Sequence, residues 1–324
     1  MDFISLARNP VPSGAILDMF AGYDGAQLRY ARWEPTRGPR RGTVCICPGR
    51  GEFIEKYFET IADLRRRGFA VAIFDWRGQG GSYRALKNPH KGHINDFSEY
   101  VRDLERFMKD VVQPECLPPF YALGHSMGGN VLLRHASRSK QEASGWFERL
   151  VLTAPLIAFS DQRIGYPQSF VRNYARVASL VGFSSRYVVG GSDDPFDGQL
   201  EFEGNVLTSD INRWERNVAI LRAVPDWSLG SPTIGWLRAA YRSCAVISSP
   251  NFANQVKIPT LMFAAGRDQL VSTQAIEEFG VRLKVGSHLL IPNSRHEILQ
   301  EADDVRQYFW SVFDAYINAA SAAA

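Results

Sequence analysis

Cysteine is scarce in this 324-residue chain: there are four, Cys45, Cys47, Cys116 and Cys244, and no C-x-x-C pair. That excludes a disulfide framework and a cysteine-based zinc cluster. Cys45 and Cys47 alternate within the apolar run Val44 to Cys47, which reads as buried strand. Charge of one sign is also lacking. The 37 basic and 34 acidic residues leave a net +3, too little to mark a nucleic-acid binder. Arg40-Arg41 and Arg65-Arg66-Arg67 read as solvated surface, with weak attraction to anionic lipid as their other use. No apolar run approaches the ~18 residues that a membrane-spanning helix needs. The start of the chain, Met1 to Arg8, has no basic segment followed by a long apolar one, so no signal peptide is expected. The expectation is a cytoplasmic protein that meets a membrane only peripherally, at its inner face. His90 and His93 are spaced like a metal pair but lack a third histidine or a cysteine. No metal, cofactor or protein partner is expected.

What is present is apolar sequence with a rhythm. Hydrophobic residues make up 45% of the chain, enough for a sizeable core. After an irregular stretch 1–20, apolar runs at Gln27 to Trp33, Thr43 to Cys47, Phe69 to Phe74, Phe120 to Leu123 and Leu150 to Thr153 read as strands. Helical spacing appears between them: Ile54, Phe58, Ile61 and Ala62 share one face, as do Tyr100, Val101, Leu104 and Met108. Continuous apolar strands alternating with helices imply a mostly parallel central sheet covered on both faces, in the α/β class. The rhythm stops after Pro155 and resumes with a strand at Thr260 to Ala264. A helix over Thr273 to Leu283 follows, then a strand at Ser287 to Ile291. The last helix carries Val305, Phe309, Val312 and Tyr316 on one face.

The expected organisation is therefore a core in two parts, 1–157 and 253–324, with 158–252 inserted as a cap. So long an insertion is more often functional than idle. Ligands in open α/β folds bind at the carboxyl edge of the sheet, where such a cap would sit. Within it, Phe170, Tyr174, Val177 and Val181 share a helical face, the expected substrate-binding surface for an acyl chain.

The chemistry is carried by Gly124-His125-Ser126-Met127-Gly128. An apolar strand leads in and a helix-compatible run leads out, which is the strand–turn–helix context of a nucleophile elbow. Ser126 is the expected nucleophile. Asp268, just past one strand, and His296, just past the last, supply an acid and a base in the chain order Ser, Asp, His. Asp193, Asp194 and Asp197 are rival acids, ranked lower because they follow no strand. An oxyanion needs two backbone amides. The expected donors are Met127 at the start of the helix, and Arg50, or else Gly51, in the turn Pro48-Gly49-Arg50-Gly51-Glu52.

On these residues the chain resembles the serine α/β hydrolases of the monoacylglycerol lipase and bacterial lysophospholipase group. The turn Gly49-Arg50-Gly51-Glu52 stands where that group has H-G-x-G-E, with Pro48 replacing the histidine. Asp75-Trp76-Arg77-Gly78-Gln79-Gly80-Gly81-Ser82 matches its D-x-R-G-x-G-x-S turn. Ala154-Pro155 and His296-Glu297-Ile298-Leu299 match as well. Asn205 to Asp210 and Gly230 to Trp236 resemble the lysophospholipase branch. The resemblance implies an α/β-hydrolase fold, and a cofactor-free ester hydrolase acting on a lysophospholipid or monoacylglycerol. A small-molecule esterase or thioesterase, and a C–C bond hydrolase, would use the same triad. A non-catalytic binding protein is the rival from another class. Asp75, Arg77 and Glu52 are expected to brace turns.

Overall fold

Strand order fixes where the chemistry sits. The computed structural model describes residues 2–36, 38–138, 145–162, 165–194 and 202–321. The strands are β1 (Ile16–Ala21), β2 (Gln27–Trp33), β3 (Thr43–Cys47), β4 (Ala70–Phe74), β5 (Phe120–His125), β6 (Phe147–Thr153), β7 (Thr260–Ala265) and β8 (Gly286–Ile291). They form an eight-stranded sheet in the order β1-β2-β4-β3-β5-β6-β7-β8. The pairs β1/β2 and β2/β4 are antiparallel, and every pair from β4/β3 to β7/β8 is parallel. In register, Cys47 faces Gly124, His125 faces Thr153 and Ala265 faces Ile291. The carboxyl ends of β3, β5, β6, β7 and β8 therefore share one edge, where ligands bind in such sheets.

The longer helices are α1 (Phe58–Arg66), α2 (Phe97–Phe107), α3 (Met127–Ala136), α4 (Gln168–Ala178), α5 (Ile211–Ala223), α6 (Ile234–Ile247), α7 (Thr273–Arg282) and α8 (Asp303–Ser321). Alternate strand residues feed two cores. Cys45, Phe74, Ala122, Leu152 and Met262 pack with α2, α3, α6 and α7. Val44, Ile46, Ile73, Leu123 and Phe263 pack with α1 and α8. With both faces covered, the central strands have no polar side, which is why they read as unbroken apolar runs. Phe263 and Phe309 meet at 4.9 Å between ring centroids, and each buried ring of this kind is worth ~1.5–3 kcal/mol.

Residues 1–20 are not wholly irregular as expected, because Ile16–Ala21 is the edge strand β1. It escapes a search for apolar runs because it is largely exposed or half-buried and alternates Leu17 with Asp18. Between β6 and β7 the described residues add no strand to the sheet; they form α4, a π-helical turn at Ser179–Phe183, α5 and α6. The last of these, α6, sends Trp236, Ala239, Ala240 and Cys244 into the same core as α2 and α3.

Candidate active site

Ser126 occupies a turn that few residues tolerate. Its φ is 49° and its ψ −113°, a region that costs a side-chain-bearing residue ~1–3 kcal/mol. Neighbouring backbone holds it there. Ser126 N donates to Thr153 O at 3.0 Å, and its carbonyl accepts from Asn130 N at 3.1 Å and Leu156 N at 2.9 Å. The flanking glycines are needed for approach: a side chain on Gly128 would collide with the carbonyl of Cys47, and one on Gly124 with Leu132.

The turns after β7 and β8 deliver the partners. His296 Nε2 lies 3.0 Å from Ser126 Oγ, and His296 Nδ1 lies 2.7 Å from Asp268 Oδ2. The second oxygen of Asp268 accepts from Leu270 N at 2.8 Å and Val271 N at 3.0 Å, which fixes the carboxylate plane. All three side chains are buried. Burial alone would push the imidazole of His296 down, but Asp268, then Glu297 and Glu52, outweigh it and hold it above the ordinary 6.5. A hydroxyl, a base and an orienting acid in line form an arrangement able to activate the hydroxyl as a nucleophile. The rival acids are elsewhere. Asp193 and Asp194 are exposed, the former bonded to Tyr187 and Asn88. Asp197 lies outside the described residues.

The turn after β3 faces the elbow because those strands are paired. Its amides are not equivalent. Gly49 N donates to Glu52, and Gly51 N donates to Gln79 Oε1 at 3.1 Å. Among the described residues no protein acceptor takes the amide of Arg50 or of Met127. Two braces come from the turn after β4, the strand beside β3. Trp76 Nε1 donates to Pro48 O at 2.8 Å, and Gln79 Nε2 donates to Gly49 O at 2.9 Å. Asp75 accepts from Ile54 N at 2.9 Å and from Arg29 and Gly81 at 2.8 Å each. Arg77 is tied to Asp24 and Asp103. Both therefore brace turns, as their positions suggested.

Behind the triad lies a buried charge cluster. Lys56 Nζ is 2.6 Å from Glu297 and 3.2 Å from Glu52, and Glu52 also accepts from Tyr57 Oη at 2.6 Å. Burial opposes the charge on Glu52, but Lys56, His125 and Tyr57 hold its carboxyl at about 2. His125, 4.8 Å from His296 between ring centroids, is pushed down to about 4, chiefly by burial, and its Nδ1 lies 3.0 Å from Thr153 O. Glu52, His125 and Glu297 bring ligand atoms within 4.8 Å of one another, as a metal site would. The ammonium of Lys56 already bridges the two carboxylates there. His90 and His93 pin their loop instead to Ser228 and Thr233.

A cavity of about 530 Å³ opens over Ser126 and His296. Much of its wall is apolar, from Leu156, Phe159, Leu207, Leu221, Leu229 and Leu270. The expected substrate-binding face is not part of it. Phe170, Val177 and Val181 are 58%, 59% and 62% exposed, and Tyr174 is half-buried outside the lining. The helix α4 turns a different stripe inward, Val171 and Ala175, against Leu237 and Tyr241 of α6. Small residues permit that close approach, so the larger ones are left outside.

The inserted stretch is stitched to the catalytic loops. Glu297 N donates to Leu207 O at 2.8 Å. Arg295 Nη1 donates to Asn205 O at 2.7 Å and Thr208 O at 2.8 Å, and Thr208 Oγ1 donates to Gln300 O at 2.6 Å. Gln79, Lys56, Glu297 and the stretch 205–208 were not singled out from sequence as parts of a site. For Gln79, Glu297 and Asn205 to Thr208 the signal was their presence in stretches that resemble the hydrolase group.

Comparison with known proteins places the chain in a family. A family model described as serine aminopeptidase S33 matches residues 38–303. Lysophospholipase L2 of Escherichia coli strain K12 is 32% identical over 297 residues, covering 89% of this chain and 83% of its own. Monoacylglycerol lipase of Mycolicibacterium smegmatis is 30% identical over 142 residues, covering 44% of this chain and 47% of its own. Among solved structures, a soluble variant of the Saccharomyces cerevisiae monoglyceride lipase superposes with a TM-score of 0.72 at 20% identity, over 95% of this chain and 97% of that one. The parallel sheet, the strained elbow and a sequence match along most of the chain converge, and the protein belongs to the serine aminopeptidase S33 family of α/β hydrolases.

Proposed function

We propose that the protein hydrolyses the carboxylic ester of a single-chain acyl lipid, a lysophospholipid or a monoacylglycerol, through an acyl-enzyme on Ser126. One observation carries the reading: leucines and Phe159 make up much of the wall of the cavity that holds Ser126 and His296. Of the acids that border it, Glu52 and Glu297 are engaged with Lys56 and Asp194 accepts from Ser192 Oγ, which disfavours an anchor for a substrate ammonium such as an aminopeptidase needs. The likeness to lysophospholipase L2 along most of both chains supports the lipid class.

In this mechanism Ser126 Oγ attacks the acyl carbonyl while His296 Nε2 takes its proton. Asp268 holds the imidazole in the right tautomer and stabilises its cation. The amides of Arg50 and Met127 receive the oxyanion. His296 then gives its proton to the departing glyceryl oxygen. Water, deprotonated by the same nitrogen, attacks the acyl-serine, and His296 returns that proton to Ser126 Oγ as the fatty acid leaves. Residues 158–252 act as the cap over this edge.

The exposed face of that cap takes the role of a lipid-docking surface. Phe170, Val177, Leu180, Val181 and Phe183 are all exposed, beside the exposed Arg172, Arg176 and Arg186. Apolar side chains flanked by cations fit an anionic bilayer surface. Among the described residues no helix is long and apolar enough to cross a membrane.

The test is a hydrolysis panel of p-nitrophenyl esters of rising chain length, with lysophosphatidylcholine and monoacylglycerol. Each methylene buried in the cavity is worth up to ~0.8 kcal/mol, about fourfold in kcat/KM. The expected result is a climb with chain length and turnover of at least one lipid. Preference for acetyl esters would refute the lipid reading and leave a small-molecule esterase.

A further inference from the structure

Arg50 carries a charge that the protein does not neutralise. Of the other arginines drawn into the interior, Arg29 pairs with Glu55 and Asp75, Arg77 with Asp24 and Asp103, and Arg306 with Asp63, while Arg65 donates Nε to Glu34 O at 2.6 Å. Arg84, which forms no such pair among the described residues, spends its donors on the carbonyls of Gly80, Ser82, Pro89 and Asp226. The guanidinium of Arg50 makes one hydrogen bond, from Nη2 to Gly230 O at 2.9 Å, and lies 5.1 Å from the ring centroid of Trp236. Its Nε is buried with no acceptor. Among the described residues no carboxylate comes within the 4.0 Å of an ion pair. Asp194 borders the same cavity, but it is exposed and accepts from Ser192 Oγ at 2.8 Å. Burial pushes the guanidinium down to about 10.

A half-buried guanidinium with spare donors in a cavity wall suits an anion, because desolvating it without a partner is costly. Its forked donors suit the paired oxygens of a phosphate ester better than a single carbonyl. The position along the chain is apt. The backbone amide of Arg50 is the proposed oxyanion donor, so the side chain starts at the reacting carbonyl. From that amide nitrogen to the guanidinium carbon there are as many covalent bonds as from the acyl carbon of a 1-acyl lysophospholipid to its phosphorus. One residue thus carries a donor for the carbonyl and a donor for the phosphate, as many bonds apart as those two groups are in the substrate.

We propose that the Arg50 side chain binds the phosphate of a lysophospholipid head group and so selects it over a neutral monoacylglycerol. This rests on the lipid-ester reading above. The bland role for Arg50 is a latch to the cap through Gly230, and the two differ in what they predict.

The experiment measures kcat/KM for lysophosphatidylcholine and for monoacylglycerol of the same chain length, in the same detergent micelles. Wild type is compared with Arg50→Gln and Arg50→Lys. A charge-assisted hydrogen bond lost from one substrate alone shifts the ratio of the two by ~10–100-fold. The expected result is that shift in Arg50→Gln, with part of the preference retained in Arg50→Lys. Equal losses on both substrates in Arg50→Gln make Arg50 a latch and overturn the proposal. Wild type that hydrolyses neither lipid overturns the lipid reading along with it. Wild type that hydrolyses both, with a ratio the substitutions do not move, overturns the proposal alone. A second arm needs no variant: glycerophosphocholine should inhibit monoacylglycerol hydrolysis by wild type at concentrations where glycerol does not. Equal or absent inhibition counts against phosphate binding.

Discussion

Gln79 is far from Ser126 in sequence and outside the triad, yet its loss should slow the chemical step. Its amide oxygen accepts from Gly51 N, and its amide nitrogen donates to Gly49 O, so it grips the turn on both sides of Arg50. Gln79→Ala removes both contacts. The residue is buried, and the stability cost is that of two modest hydrogen bonds, ~1–3 kcal/mol together. The larger effect is on kcat. If the amide of Arg50 swings out of line, the reaction loses at most one oxyanion donor, ~10²–10³-fold in kcat. The substrate's ground-state carbonyl uses that donor less, so KM should change little. Steady-state kinetics on a p-nitrophenyl butyrate series, with a thermal melt as control, separates the two effects. A lowered melting temperature with kcat within twofold of wild type would refute the reasoning, since Gln79 would then support the fold and not the oxyanion turn.

Ser126→Ala, His296→Ala and Asp268→Asn should each lower kcat by ~10³-fold or more without unfolding, and pairs of them should not add; circular dichroism and turnover of one ester check both statements. The raised pKa of His296 fixes a pH dependence whose two signs oppose. The base must be neutral, so kcat/KM should rise with pH through a midpoint above the reference ~6.5, while the stability that the charged imidazole contributes is complete below ~6.5 and lost as pH climbs through that midpoint. A midpoint below 6 in both profiles would contradict the dominance of Asp268 over burial. On the cap, Phe170→Asp with Val177→Asp should weaken sedimentation with anionic vesicles by roughly 10–100-fold and leave hydrolysis of a soluble acetyl ester within a factor of two; equal loss of both would mean the cap had unfolded.

The elbow and its partners were legible because each is a local event: a strand's end followed by a distinctive residue. The parallel sheet was legible because burial on both faces leaves no polar alternation at Thr43–Cys47 or Ala70–Phe74. The brace by Gln79 was not, because it depends on β4 lying beside β3, and pairing is set by tertiary order rather than by spacing. The Lys56 cluster escaped for the same reason, since Glu297 reaches it from the far end of the chain. Edge strand β1 was hidden by its exposure. The cap face was misread for a different cause. On α4 two apolar stripes lie side by side, and the rule that the bulkier one faces inward fails where helices approach on alanine.

The stitching of the inserted stretch to the histidine loop has a consequence for recombining these hydrolases. Leu207 O holds the amide next to His296, and Arg295 reaches back to Asn205 and Thr208. A chimera that exchanges everything between β6 and β7 would therefore carry away the support of its own general base. Crossover points after Asp210 and before Gly230 would keep those contacts, with Gly230 still receiving Arg50. They would exchange α5 and the turn after it, which bring Leu221 and Leu229 to the cavity, provided that Arg213 and Arg216 are kept for Glu59, Asp303 and Gln300.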